Sequence, residues 1–302
     1  MALSKPDRLD WASLAPLKLR ARTVADGLLT GAHRSTRRGA GVEFGGHRNY
    51  VPGDDLRFLD RRVLMRHGRL TVRVFETETE RSLGLLVDAS RSMAYRSPLS
   101  TEAKLSYTTL LAAALGRVAL KEGDRVLLDW FGGTDCHPIS TMGGNAAFDR
   151  LVEVLEIGQA SQGQSDETNF EHLIDRMDRR MPRGSVIVLI SDLLDLDAKA
   201  VASFTRLASR NRIPIAIRVL DPMEKDFSFV GSVRLRASEG QRVVETDADQ
   251  ARAHYLQALE SRRAAWADSL TAAGGGLIDC VTSDDPVRVL REVLLRAQGR
   301  GP

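Results

Sequence analysis

An apolar run, Leu83 to Val87, stops at Asp88, and Ser90 and Ser92 follow at alternate positions. One short segment thus carries a carboxylate and two hydroxyls, all hard oxygen donors. Such donors suit Mg²⁺, with Mn²⁺ or Ca²⁺ as alternatives, and soft ligands such as thiolate are missing. Three ligands do not complete a site. A distant hydroxyl and a second carboxylate have to arrive at the same place, and the chain offers both. Thr168 stands between a wholly polar stretch, 158–167, and an amphipathic segment beginning at Phe170. Asp192 ends the apolar run Ser185 to Ser191. Thr168 also has a plain structural use, as the residue that caps the following helix.

The elements that must position these residues are legible as an alternation. Leu70 to Arg81 alternates with period two and reads as a strand leading into the Leu83 run. A long helix follows from about Thr101 to Lys121, with Leu105, Leu111, Leu115 and Val118 as its buried stripe. Arg125 to Phe131 is a second strand of the main sheet, followed by a short extended piece at 137–141 and a helix at 146–157. Then come a helix from Phe170 to Arg180, the nearly continuous apolar strand ending at Asp192, a helix at 197–210, and a strand at 213–220. Continuous apolar runs are expected of parallel strands covered on both faces. Strand and helix in turn predict an α/β fold, a doubly wound and mostly parallel sheet flanked by helices. Ligands of such sheets bind beyond the carboxyl ends of the strands. Asp88, Thr168 and Asp192 all fall at that edge.

Around this sheet the chain adds two further parts. Residues 1–80 form a basic, partly β region: a helix at about 10–30, a basic loop from His33 to Gly41, then the Arg48-to-Asp60 stretch with its Pro52-Gly53 turn. There Arg48, Arg57, Arg61 and Arg62 meet Glu43, Asp54, Asp55 and Asp60. Arginines this close keep the acids ionised, which suits structural pairing better than general acid work. Residues 223–273 read as an insertion, two short strands about Ser238-Glu-Gly240 and a charged helix. The main domain covers 81–222 and resumes at 274–299 with a last strand and a closing helix.

Composition narrows the function further. The 302 residues are 43% hydrophobic, enough for a sizeable core. No apolar run approaches the roughly 20 residues of a membrane span, and the N-terminal residues lack the order of a secretion signal. The expectation is a cytoplasmic protein. The two cysteines, Cys136 and Cys280, lack metal-like spacing and are expected as free thiols. Residues 1–81 carry 16 Lys/Arg against 10 Asp/Glu. These charges alternate in sign after Glu43 with few aromatics between them, which argues against a nucleic-acid surface.

Taken together, Asp88, Ser90, Ser92, Thr168 and Asp192 resemble the metal-ion-dependent adhesion site of von Willebrand factor type A domains, over residues 82–220 and 276–297. That resemblance implies Mg²⁺ held by the two serines and the threonine, with the carboxylates binding directly or through water. It leaves one position for an acidic side chain of a partner. A broader likeness, over about 30–290, is to the DUF58 family of bacterial proteins. It is carried by Arg48-Asn-Tyr-Val-Pro-Gly-Asp-Asp-Leu-Arg-Phe-Leu-Asp60, Val72-Arg-Val-Phe-Glu76, Asp88-Ala-Ser-Arg-Ser-Met93 and Asp221-Pro-Met-Glu224. Arg61 stands where that family usually has Trp, and many members begin with membrane helices that this sequence lacks. The likeness implies an adaptor or co-chaperone of a MoxR-type AAA+ ATPase acting on a client protein, not an enzyme. No phosphate loop, nucleophile elbow or zinc spacing is present to oppose this. The alternative is a metal-dependent hydrolase on the same residues. Phosphatases that start from a strand ending in Asp need a second carboxylate two residues on, where this chain has Ser90.

Overall fold

The computed structural model describes residues 16–31, 43–51, 59–76, 82–133, 137–160, 170–236 and 243–298. Thr168, Cys136, the 33–41 loop, the Pro52–Asp55 turn with Arg57, and Ser238–Gly240 lie outside them, as do the side chains of Glu43, Arg48, Arg61 and Arg62. Two compact units are present, residues 32–80 and the remainder.

The larger unit is built on a six-stranded sheet of order β10-β7-β6-β3-β4-β5. Its strands are β3 (Ser82–Asp88), β4 (Arg125–Phe131), β5 (Ile139–Met142), β6 (Val186–Ser191), β7 (Ile213–Leu220) and β10 (Gly276–Val281). All neighbours are parallel except β4 and β5. The α/β architecture expected from the sequence, a mostly parallel sheet flanked by helices, is the one observed. β3 is buried along its whole length, and β4, β6 and β7 are buried beyond their first residues. Strands covered on both faces can be apolar without a break, which is why these read as continuous runs.

Side chains alternate between two cores. Leu83, Leu85 and Val87 of β3, with Val188 and Ile190 of β6, point toward α1 (Leu17–Gly31), α3 (Lys104–Glu122), α4 (Gly144–Ala160) and α9 (Pro286–Ala297). Leu86, Leu127, Ile187 and Leu189 point toward α5 (Phe170–Arg180), α6 (Ala198–Thr205) and α8 (Ala248–Ala272). Asp129 of β4 lies on this second face, almost fully buried. Arg176 of α5 meets it bidentately at 2.6 and 2.7 Å, which compensates the buried charge.

Two expectations change. First, α3 is buried around nearly its whole circumference, because α1, α4 and α9 all pack on it, so the four-residue stripe understates its core surface. Second, α1 belongs with the sheet, through α3 and α9, and not with a single 1–80 region. Its buried Leu17, Ala21, Val24, Ala25 and Leu28 recur at helical spacing and explain the attachment.

The smaller unit pairs β1 (Glu43–Asn49) with β2 (Thr71–Glu76) in antiparallel register, with an irregularity between Phe44 and Gly46. α2 (Arg61–His67) lies between them in sequence, and Asp60 Oδ1 accepts from the Val63 amide at 3.2 Å at its start. In the 223–273 segment, β8 (Ser232–Arg236) pairs with β9 (Val243–Asp247), and Asp247 caps α8. α8 packs on β10 and α6, so its sheet-facing Trp266 and Leu270 are buried. The expected helix at 197–210 is α6 followed by a 3-10 turn, Arg206–Arg210.

Candidate metal centre

β3 and β6 are neighbours in parallel register, with Val87 opposite Ile190, so their ends deliver Asp88 and Asp192 side by side. Four of the five expected ligands, Asp88, Ser90, Ser92 and Asp192, meet there, each less than a tenth exposed. The fifth, Thr168, lies outside the described residues.

The loop after β3 is fixed by its own hydrogen bonds. Asp88 Oδ1 accepts from the Ser90 amide at 2.8 Å, and Asp88 Oδ2 from the Ser191 hydroxyl at 2.5 Å. A 3-10 turn, Arg91–Ala94, then returns Ser92 toward Ser90, and the two hydroxyl oxygens lie 3.1 Å apart. β4 supports the loop from the side. The Ala89 amide donates to the Phe131 carbonyl at 2.8 Å, and Gly132, at φ +76°, passes so close that a Cβ there would stand 2.7 to 2.8 Å from Ser90 atoms. On the β6 side, Leu193 takes the left-handed conformation at φ 60°, held by a 2.9 Å bond from its amide to Ser191 Oγ. Such a conformation costs a non-glycine residue about 1 kcal/mol, and it turns the chain sharply after Asp192.

Sequence reasoning missed the site's cation. Lys104, with 0% of its surface exposed, places Nζ 2.8 Å from Asp192 Oδ2 and 2.8 Å from Glu224 Oε1. Glu224 belongs to α7 (Pro222–Asp226), which opens with a capping box. Asp221 accepts from the Met223 amide at 2.9 Å, and Glu224 Oε2 from the Asp221 amide at 3.0 Å. Asp221 Oδ2 also accepts from the Ser97 amide at 2.9 Å, tying α7 to the loop after Ser92. The signal for Lys104 was present: it stands four residues before Thr108 and seven before Leu111, on the buried face of α3, where a lysine must find carboxylates.

The electrostatics follow from this layout. Burial pushes the Asp88 carboxyl up to about 7, and the negative charge of Asp192 adds to that against hydrogen bonds from Ser191 and Ser90. Burial would raise Asp192 as well, but the Lys104 ammonium and hydrogen bonds from Lys104, Ser92 and the Leu194 amide hold it below the ordinary range. For Lys104 itself, burial pulls downward and is outweighed by Asp192 and Glu224. Glu224 is raised, mainly by burial. Asp192 is therefore held as an anion, whereas Asp88 has no cation paired with it among the described residues and its charged form is disfavoured.

The donors fit a small hard cation. Two oxygens bound at the roughly 2.1 Å of magnesium and at right angles stand about 3 Å apart, the spacing of Ser90 and Ser92. Asp88 keeps a lone pair on each oxygen beyond the bonds described. Asp192 is already engaged by Lys104 and the Leu194 amide, so it fits the role of a carboxylate acting through Ser92 or water. No three His, Cys, Asp or Glu side chains among the described residues group into a metal site, so this one depends on its hydroxyls.

A family model described as protein of unknown function DUF58 matches residues 46–265. The chain is 28% identical over 291 residues to the uncharacterized protein Rv1480 of Mycobacterium tuberculosis, covering 95% of this chain and 90% of that one. Among solved structures it is similar to the conserved hypothetical protein BatB from Bacteroides thetaiotaomicron, at 14% identity and TM-score 0.47, covering 72% of this chain and 98% of that one. It is also similar to a von Willebrand factor type A protein from Catenulispora acidiphila, at 13% identity and TM-score 0.42, over 74% and 44% of the two chains. A third likeness is to an aerotolerance-related membrane protein from Bacteroides fragilis, at 15% identity and TM-score 0.44, over 72% and 98%. None of these proteins has an enzyme's name. The expectation of a cytoplasmic protein is corrected by the third, whose name as a membrane protein points away from that placement. Among the described residues no helix is long and apolar enough to cross a membrane.

Proposed function

The chain belongs to the DUF58 family, and on that premise we propose that it is a metal-dependent protein-binding module. Asp88, Ser90 and Ser92 would hold a hard divalent cation, Mg²⁺ by the chemistry of the donors, which supplies a positive centre with an open position for a partner's carboxylate. Asp192 balances charge from behind Ser92, and Thr168 joins the set on the strength of the sequence alone. The observation that carries the reading is the pair of serine hydroxyls, 3.1 Å apart beside a buried carboxylate that has no paired cation among the described residues. The partner proposed is a MoxR-type AAA+ ATPase, with the module acting as adaptor or co-chaperone toward a client protein.

Isothermal titration of Mg²⁺ into the wild-type protein and Asp88→Ala tests the metal part. Saturable heat in the wild type alone is expected, and equal heats sink the reading. Capture of a purified MoxR-type ATPase with Mg²⁺, and its loss in EDTA, tests the partner; retention indifferent to EDTA would separate that interaction from this site.

A further inference from the structure

Lys104 is the first residue of α3, where the helix dipole disfavours a positive side chain. It is also fully buried, in a position that an apolar residue would fill without electrostatic cost. A residue that violates both local rules is expected at a functional site. Its ammonium bridges the carboxylate behind the metal ligands, Asp192, to Glu224 of α7. Ionised, Asp88, Asp192 and Glu224 face this one ammonium, and Asp195, itself beside Arg262, also acts on Asp192 and Lys104.

We infer that Lys104 is a positioning residue that tunes the site to bind a metal ion and a carboxylate together. It is a resident counter-charge that weakens the metal alone and strengthens an anion on the metal. The inference rests on the metal-binding reading above. The reasoning is electrostatic. With Lys104 present, a divalent cation offsets most of the negative charge that the ammonium leaves, and an incoming carboxylate meets less repulsion. Without it, the cluster attracts the metal more strongly but stays negative after binding, and it repels the carboxylate. Lys104 therefore affects the two binding events with opposite sign. A lysine that merely braced the fold would weaken both when lost.

The test follows the free Mn²⁺ signal by electron paramagnetic resonance, in titrations with and without acetate as the carboxylate probe. The proteins are wild type, Lys104→Met, Glu224→Gln and the double variant. Lys104→Met is expected to bind Mn²⁺ alone about tenfold tighter, and the gain in Mn²⁺ affinity from acetate to shrink by about the same factor. Glu224→Gln, which keeps the Lys104–Asp192 pair, is expected to shift both quantities the other way. The double variant, whose charge matches the wild type, is expected to return toward it. Should Lys104→Met not fold, Glu224→Gln decides by itself: unchanged or tighter Mn²⁺ binding overturns the inference. Movement of both quantities in one direction in Lys104→Met overturns it too. A wild type that takes up no Mn²⁺ removes the metal reading and this inference together, whereas wild-type binding with unmoved ratios removes the role of Lys104 alone.

Discussion

Gly132→Ala is the most discriminating perturbation of the loop that carries Ser90. Gly132 combines a left-handed conformation, φ +76°, with a Cβ position 2.7 Å from the Ser90 nitrogen and 2.8 Å from its Cα. The conformation alone costs alanine about 1 kcal/mol. Relieving the overlap requires the Ser90 backbone to retreat until ordinary contact, 3.4 Å or more, is restored. That backbone is held by the bond from its amide to Asp88 and by the Met93 amide donating to its carbonyl. Losing one or two such buried hydrogen bonds adds roughly 1 to 3 kcal/mol. The expected total is about 2 to 4 kcal/mol, or roughly 5 to 12 °C in Tm for a domain of this size. Gly143→Ala is the matched control, because Gly143 has φ +72° but nothing within 4 Å of its Cβ position, so it should cost only the conformational part. Urea unfolding followed by circular dichroism measures both, and Mn²⁺ titration should show binding lost in Gly132→Ala and retained in Gly143→Ala. Equal stability and equal metal binding in the two variants would refute the account of Gly132 as the support of Ser90.

Two further outcomes are expected. Folding raises the Asp88 carboxyl from 3.8 to about 7, so without metal the folded state holds that proton more tightly than the unfolded chain. The contribution is complete below about 4 and is lost as pH rises through about 7, and Mg²⁺ should restore stability above that range. Unfolding free energies across this window should fall for the metal-free wild type and lose this component in Asp88→Asn; a rise with pH in the metal-free wild type contradicts the assignment. Asp221→Ala removes the acceptor of the Met223 and Ser97 amides and should cost about 2 to 3 kcal/mol. Hydrogen exchange at those two amides should quicken, and unchanged protection would show that the cap does not hold α7.

The sheet was readable because its strands are buried on both faces, so the apolar runs ending at Val87, Ile190 and Leu220 announce themselves without periodicity. The meeting of Asp88 with Asp192 was readable too, because both sit at the carboxyl ends of parallel strands. The ion pairs behind them were not. Lys104, Asp192 and Glu224 come from α3, the end of β6 and α7, and no local spacing relates them. Only the misfit of a lysine on a buried helical face hinted at Lys104. The Asp221-to-Glu224 segment shows the opposite failure. Its residues were singled out by resemblance, and their physical use, a capping box whose glutamate also holds the buried lysine, appears only in three dimensions. Placement of α1 depended on the part of the α3 surface that α4 and α9 leave to it, which a helix-by-helix reading could not weigh.

The sheet order has a consequence for synthesis. β7 is interior only because β10 lies along it, and β10 follows β7 by roughly sixty residues that include α8. At the ribosome's pace of about 5 to 20 residues per second, β7 waits about 3 to 12 s with Ile215, Ile217 and Val219 on an open edge. α9, part of the cover of α3, emerges later still. The nascent chain therefore passes through a stage with a bare apolar strand and a half-covered central helix, a template for pairing with other chains. Slower elongation over 221–275 should lower the soluble yield of this protein, and a holdase that shields strand edges should restore it.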